Sequence, residues 1–111
     1  LIMTKRARPE DAMPTLVNER LRIWGQCVRK QRVRQNITAR DLCARLDISH
    51  PTLQRMERGE ASVNVGLFLA AFHVLGILAI TAPEPDVALW QMDSPNVRSR
   101  PTLNGGDDGY F

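Results

Sequence analysis

The sequence predicts an all-α bundle of four to five helices, followed by one short C-terminal β-strand. Apolar residues recur at spacings of three and four along most of residues 16–75. Residues typical of helix caps and left-handed turns separate these stretches. The chain has 111 residues and is 43% hydrophobic, so we expect one folded domain with tails.

The first two helices are predicted from their apolar spacing and their ends. One runs from Leu16 to Gln35, and Asn36 is expected to end it in a left-handed turn. The next begins after Thr38, which forms a capping-box pattern with Asp41, and Asp47 closes it.

The third helix is predicted in SHPTLQRMERGE, residues 49–60. Ser49 is a favourable N-cap, and Gly59 suits the left-handed position after a helix. Since proline has no N–H, the Ser49 hydroxyl must accept from the Thr52 amide. Leu53, Met56 and Glu57 share one side, opposite Pro51, Arg55 and Arg58. A carboxylate on the apolar side needs a partner that the helix itself does not supply.

The rest of the chain divides into a fourth helix, a strand and two tails. Asn64 is expected to cap a helix through Leu75, which Gly76 terminates. Residues 77–81 are β-prone and predict a strand. The domain organisation predicted is a flexible basic arm (1–15), a folded domain (16–77), and a strand with a largely disordered, partner-binding tail (78–111).

Charge is distributed unevenly along the chain. Residues 1–58 hold 13 Lys/Arg against six Asp/Glu, a net +7, whereas residues 59–111 have a net charge of −4. The basic half indicates an anionic partner such as nucleic acid.

Other classes of function have little support in the sequence. Cys27 and Cys43 lie in apolar helical patterns without metal-ligand spacing, so we expect reduced core thiols and no metal. No catalytic constellation or cofactor motif is evident. No apolar run is long enough for a membrane span and no signal peptide is recognisable, so we expect a cytoplasmic protein without cofactors.

The stretch TARDLCARLDISHPTLQRMERGE, residues 38–60, resembles the helix-turn-helix of the XRE family of phage-repressor-like DNA-binding proteins. The positions that fit the family pattern are Thr38, Leu42, Ile48, Ser49, Thr52, Leu53, Met56, Glu57 and Gly59. The continuation VNVGLFLAAFHVLGI is similar to HipB-type antitoxins, the DNA-binding partners of HipA-type kinase toxins.

The resemblance implies a partner for Glu57. In this family a first-helix arginine pairs with the glutamate, and the corresponding residue here is Arg32. The alternative is that Arg32 is one more solvated base. The family's glutamine and turn glycine are replaced by Ala39 and Asp47, and the loss of glutamine weakens the expectation of strong binding to one half-site.

The resemblance also implies a binding mode, with the third helix in the major groove of duplex DNA. The residues expected to contact bases are Ser49, His50, Pro51, Thr52 and Arg55. Those expected to contact phosphate are Thr38, Arg40 and Arg58. The basic stretch at residues 5–8 is either a minor-groove arm or a disordered tail.

Such modules usually act in pairs, so we expect a homodimer. The predicted strand at residues 77–81 is the candidate dimer element, because pairing with its own copy would cover its apolar edge; alternatively it packs on its own domain. The residues expected to form the dimer or bind a partner are Leu78, Ile80 and Trp90; alternatively Trp90 packs on the fourth helix. The function that the resemblance implies is an autoregulating repressor associated with the nucleoid, as the antitoxin of a HipA-like kinase. A stand-alone repressor and a protein-interaction module that has lost strong DNA binding are the alternatives.

Overall fold

The computed structural model describes residues 13–92, which form five α-helices and a 3₁₀ turn. The helices are α1 (Thr15–Arg34), α2 (Ala39–Leu46), α3 (His50–Glu57), α4 (Val65–Leu75) and α5 (Leu78–Thr81), and the 3₁₀ turn is Val87–Leu89. The all-α prediction is confirmed. The basic arm at residues 5–8 and the tail beyond residue 92 lie outside the described residues.

Side-chain caps begin three of these helices. The hydroxyl of Thr38 accepts from the Asp41 amide at 3.0 Å, and that of Ser49 accepts from the Thr52 amide at 3.3 Å. The Asn64 carboxamide oxygen accepts from the Gly66 amide at 2.6 Å. Each bond satisfies a backbone donor that has no partner within its own helix. The three caps expected from the sequence are therefore confirmed.

Left-handed residues mark the breaks between helices. Within residues 13–92, positive φ angles occur at Asn36, Asp47, Gly59 and Gly76. These are the four positions at which the sequence predicts a turn of this kind. The three residues 47–49 between α2 and α3 hold the two helices of the helix-turn-helix in fixed relation.

One apolar core joins α1 to α4. Val28, Leu42, Leu53, Phe68 and Phe72 are almost completely buried in it. The ring of Trp24 meets the Phe72 ring edge-on, with centroids 5.1 Å apart, an arrangement favoured by aromatic quadrupoles. Because α4 packs against both α1 and α2, it holds them on one side while α3 keeps an outer face.

The predicted strand at residues 77–81 is wrong, since residues 78–81 form the helical turn α5. Left-handed Gly76 turns the chain back, and Ile77 and Leu78 pack against the core. The carbonyl of Ile77 accepts from the amide and the hydroxyl of Thr81, at 3.0 and 2.8 Å. Residues 13–92 contain no strand with which this segment could pair. Its backbone N–H and C=O groups therefore find hydrogen-bond partners in a helical turn, although its residues favour a strand.

The side chains of Arg32 and Glu57 meet between α1 and α3. Arg32 Nε donates to Glu57 Oε2 at 2.8 Å, and Nη1 donates to the Ile37 carbonyl at 3.2 Å. Both side chains are only 11% exposed. The guanidinium therefore supplies the partner that the carboxylate on the apolar side of α3 requires.

Cys43 lies in the core near this ion pair. Burial raises the pKa of its thiol above the ordinary value, and the Glu57 carboxylate raises it further while Arg32 opposes the change. The thiol is therefore protonated at neutral pH, as expected for a cysteine that acts as a small apolar core residue.

Replacing the Glu57 carboxylate tests the contribution of the ion pair. We expect Glu57→Gln to lower the free energy of unfolding by about 3 kcal/mol, because Arg32 is left buried without a counter-charge. Urea denaturation followed by circular dichroism measures this. The control is Glu19→Gln, since Glu19 pairs with Arg22 at the surface and is 51% exposed; we expect a loss below about 0.5 kcal/mol. Equal losses in the two variants would contradict the structural role.

The left-handed residue between α2 and α3 generates a second prediction. Asp47 has φ 56°, a conformation that glycine adopts without steric cost. We expect Asp47→Gly to leave stability unchanged or raise it by up to about 1 kcal/mol. Ala44→Gly, at an exposed helical position of α2, should instead lower stability by about 1 kcal/mol. Thermal melting of both variants checks these opposite effects, and a comparable loss in both would refute the left-handed assignment.

Candidate nucleic-acid interface

The N-terminal end of α3 faces away from the core. Ser49, His50 and Pro51 are exposed there, whereas Leu53 and Met56 are buried on the opposite side. Pro51 lies in the first turn, where the absence of its N–H costs no helical hydrogen bond. The helix thus presents a short polar end to solvent while its apolar side anchors it.

Three of the five residues expected to contact bases are joined by hydrogen bonds along α3. The hydroxyl oxygens of Ser49 and Thr52 lie 3.0 Å apart, and Arg55 Nη2 donates to Thr52 Oγ1 at 3.3 Å. The side chain of Arg55 is consequently held against its own helix and is partly buried. A guanidinium has five N–H donors, so this single bond leaves others for a ligand.

Arg58 is placed differently from Arg55. It lies at the C-cap of α3, and its Nε and Nη2 atoms each lie 2.9 Å from Glu60 Oε2. Its side chain is 61% exposed, so the pair is open to water. An exposed pair of this kind is weak and can exchange its carboxylate for a phosphate.

The start of α2 carries the other two residues expected to contact phosphate. The Thr38 hydroxyl is bonded to the Asp41 amide as a cap, and Arg40 is exposed. Ala39, which replaces the family's glutamine, packs partly buried against the core. This position is therefore a packing contact here and supplies no polar group at the surface.

A close approach between the α1 and α3 backbones was missed from the sequence. Gly25 is buried in α1, and a Cβ atom added there would lie 2.6 Å from the carbonyl oxygens of Met56 and Glu57. A Cβ added at Gly59 would contact the Leu21 carbonyl oxygen. The available signal was Gly25 itself, because glycine inside a helical pattern often marks a close packing contact.

The three residues expected to bind a partner do not share one environment. Leu78 packs partly buried against the core, whereas Ile80 is 81% exposed. Trp90 is half-exposed, is absent from the core cluster and donates from Nε1 to the Pro85 carbonyl at 3.1 Å. The alternative that Trp90 packs into the core beside α4 is thus not what the structure shows.

Residues 13–92 contain no group of three or more His, Cys, Asp or Glu side chains placed to hold a metal ion. None of the helices in this range is long and apolar enough to cross a membrane.

Comparison with known proteins agrees with this geometry. Residues 28–78 match the model of the family described as Helix-turn-helix, a range that contains the last seven residues of α1, all of α2 to α4 and the first residue of α5. No curated protein and no solved structure matches the chain. Such domains bind DNA and are not enzymes. Residues 28–78 are therefore an XRE-family helix-turn-helix domain, with α2 and α3 as its two characteristic helices.

Proposed function

We propose that this protein is a sequence-specific transcriptional repressor that reads DNA with the exposed end of α3. A helix-turn-helix domain implies DNA binding and a role in transcriptional regulation. The observation that carries the proposal is Arg55, a partly buried side chain in the last turn of α3 whose guanidinium is held by its bond to Thr52. An arginine oriented in this way loses less conformational entropy when it binds than a freely rotating one.

In the proposed complex, α3 enters the major groove with its N-terminus leading. Arg55 donates two parallel hydrogen bonds to guanine O6 and N7. Ser49, His50 and Thr52 contact base edges at the leading end, and Pro51 contributes an apolar contact such as one to a thymine methyl group. The hydroxyls of Ser49 and Thr52 are bonded to each other, so the one that donates its proton to the other has none left for DNA. That hydroxyl can donate to a base only after the bond between the two has broken.

Phosphate contacts supply the affinity that does not depend on sequence. We assign them to Thr38, Arg40 and Arg58, which lie at the start of α2 and the end of α3. Arg58 must release Glu60 to do this, so its contribution is smaller than that of an unpaired arginine. Arg40 is exposed at the helix start and is the simplest candidate of the three.

We also propose that the protein acts as a homodimer on a two-fold symmetric operator. One short helix reads few base pairs, and two copies double the contact. Pairing through a C-terminal strand is not the mechanism, since residues 78–81 are helical. Exposed Ile80 remains a candidate for the contact between copies.

The finer proposal is that the repressor is the antitoxin of a HipA-like kinase. Its support is the similarity of residues 63–77 to HipB-type antitoxins, together with the apolar surface of residues 87–92. Leu89 and Trp90 are 78% and 53% exposed, and Trp is among the residue types that most often anchor a protein interface. A stand-alone repressor is the outcome if no kinase is encoded beside this gene.

Two arginine variants distinguish base reading from phosphate contact. We expect Arg55→Ala to weaken binding to a selected operator by about 1–3 kcal/mol while binding to random DNA falls much less. Arg58→Ala removes the same charge and should weaken both DNAs alike, with a salt slope lower by about one. Gel shifts at several salt concentrations measure both effects. If Arg55→Ala binds both DNAs as the parent does, the role of Arg55 is wrong.

Truncation after Ala82 tests the partner-binding segment. The fold should survive, because every residue of 83–92 is exposed and none belongs to the core cluster, so we expect a change in unfolding free energy below about 0.5 kcal/mol. A co-expressed HipA-like kinase from the neighbouring gene should no longer co-purify. Trp90→Ala is expected to weaken that capture without changing the melting temperature, while Trp24→Ala, which removes a ring from the core, should lower it strongly. A truncated protein that retains the kinase would contradict the proposal.

A further inference from the structure

Gly25 lies in α1 at a place where the backbone at the end of α3 leaves no room for a Cβ atom. Its Cβ would come within 2.6 Å of the carbonyl oxygens of Met56 and Glu57, and within 2.8 Å of the Gly59 amide nitrogen. Carbon and oxygen atoms without a bond do not approach so closely, so α3 would have to move. A backbone carbonyl cannot rotate away as the end of a flexible side chain can.

Glu57 of α3 makes a second contact with α1, two helical turns after Gly25. Arg32 lies seven residues after Gly25 and therefore on nearly the same side of the helix. Its guanidinium binds the Glu57 carboxylate at 2.8 Å. Glu57 is thus fixed through its backbone at Gly25 and through its side chain at Arg32.

We propose that Gly25 is a positioning residue for base reading, which sets the distance of α3 from α1 and thereby the place of Arg55. This inference rests on the proposed function. The eight residues of α3 span about 12 Å, so a displacement of the last turn moves or tilts the whole helix. Paired hydrogen bonds to a base tolerate errors of only about 0.5 Å.

Phosphate contacts respond less to the same movement. Long charged side chains at the rim adjust to small shifts, and their attraction to DNA falls off slowly with distance. A displaced α3 should therefore lose preference for a sequence before it loses general affinity for DNA. This difference separates a positioning role from a merely stabilising one.

The test is Gly25→Ala, measured on two duplexes of equal length. One is selected from a random 20-base-pair library by the parent protein, and the other has the same composition in shuffled order. We expect the ratio of the two affinities to fall about tenfold, with little change in the affinity for shuffled DNA. A reduced folded fraction weakens both affinities equally and cancels from the ratio.

The matched control is Gly76→Ala. Gly76 has φ 77°, so alanine there is strained, but an added Cβ meets no atom within 4 Å. This variant should lose stability and keep the parent's affinity ratio. Alanine at position 25 carries no intrinsic helical penalty, so an effect of Gly25→Ala on the affinity ratio comes from its contact with α3.

A second variant covers the case in which Gly25→Ala does not fold. Gly59→Asn keeps a residue that tolerates positive φ but brings a Cβ against the Leu21 carbonyl from the α3 side. The same fall in ratio is expected. A ratio equal to the parent's in either folded variant overturns this inference alone, whereas a parent that selects no sequence overturns the proposed function and this inference with it.

Discussion

The contact between α1 and the last turn of α3 is the constraint on which the rest of the domain depends. A guanidinium and a carboxylate that are each 11% exposed meet there, beside two backbones that touch without an intervening side chain. Removing one partner of such a pair leaves a buried charge, so the contact tolerates little change. Because α3 has only eight residues, it cannot be stable alone and takes its position from this attachment and from the core.

Most of the fold follows from local chemistry and could be predicted from the sequence. Three helices begin with a cap residue, because a short polar side chain just before an apolar periodic stretch can accept a hydrogen bond from a free first-turn amide. These residues are Thr38, Ser49 and Asn64. Asn36, Asp47, Gly59 and Gly76 end or redirect the chain because these residue types tolerate positive φ. Residues 77–81 were predicted wrongly, since their branched side chains favour a strand locally whereas packing of Ile77 and Leu78 on the core decides the outcome.

The candidate site could be predicted only in part. The sequence shows which residue types are present, but not which residues their side chains contact in the folded protein. The pairing of Arg32 with Glu57 followed from a family resemblance, and periodicity alone indicated only that Glu57 needed a partner. The bonds of Thr52 to Ser49 and Arg55, and of Glu60 to Arg58, depend on rotamers that no sequence pattern determines. Gly25 was overlooked because a helix tolerates glycine, and the reason for its presence lies 31 to 32 residues away, in the carbonyls of Met56 and Glu57.

The uneven distribution of charge has a consequence for the encounter with a polyanion. From Gly59 to Met92 the chain contains no lysine or arginine, while α1, α2 and α3 together contain nine, six of them in α1. A molecule with its cations in one part has an electric dipole, and the field of a duplex exerts a torque on that dipole during diffusion. The basic part is turned toward the phosphates before any contact forms, so more collisions are productive. The gain in association rate shrinks as salt shortens the range of the field.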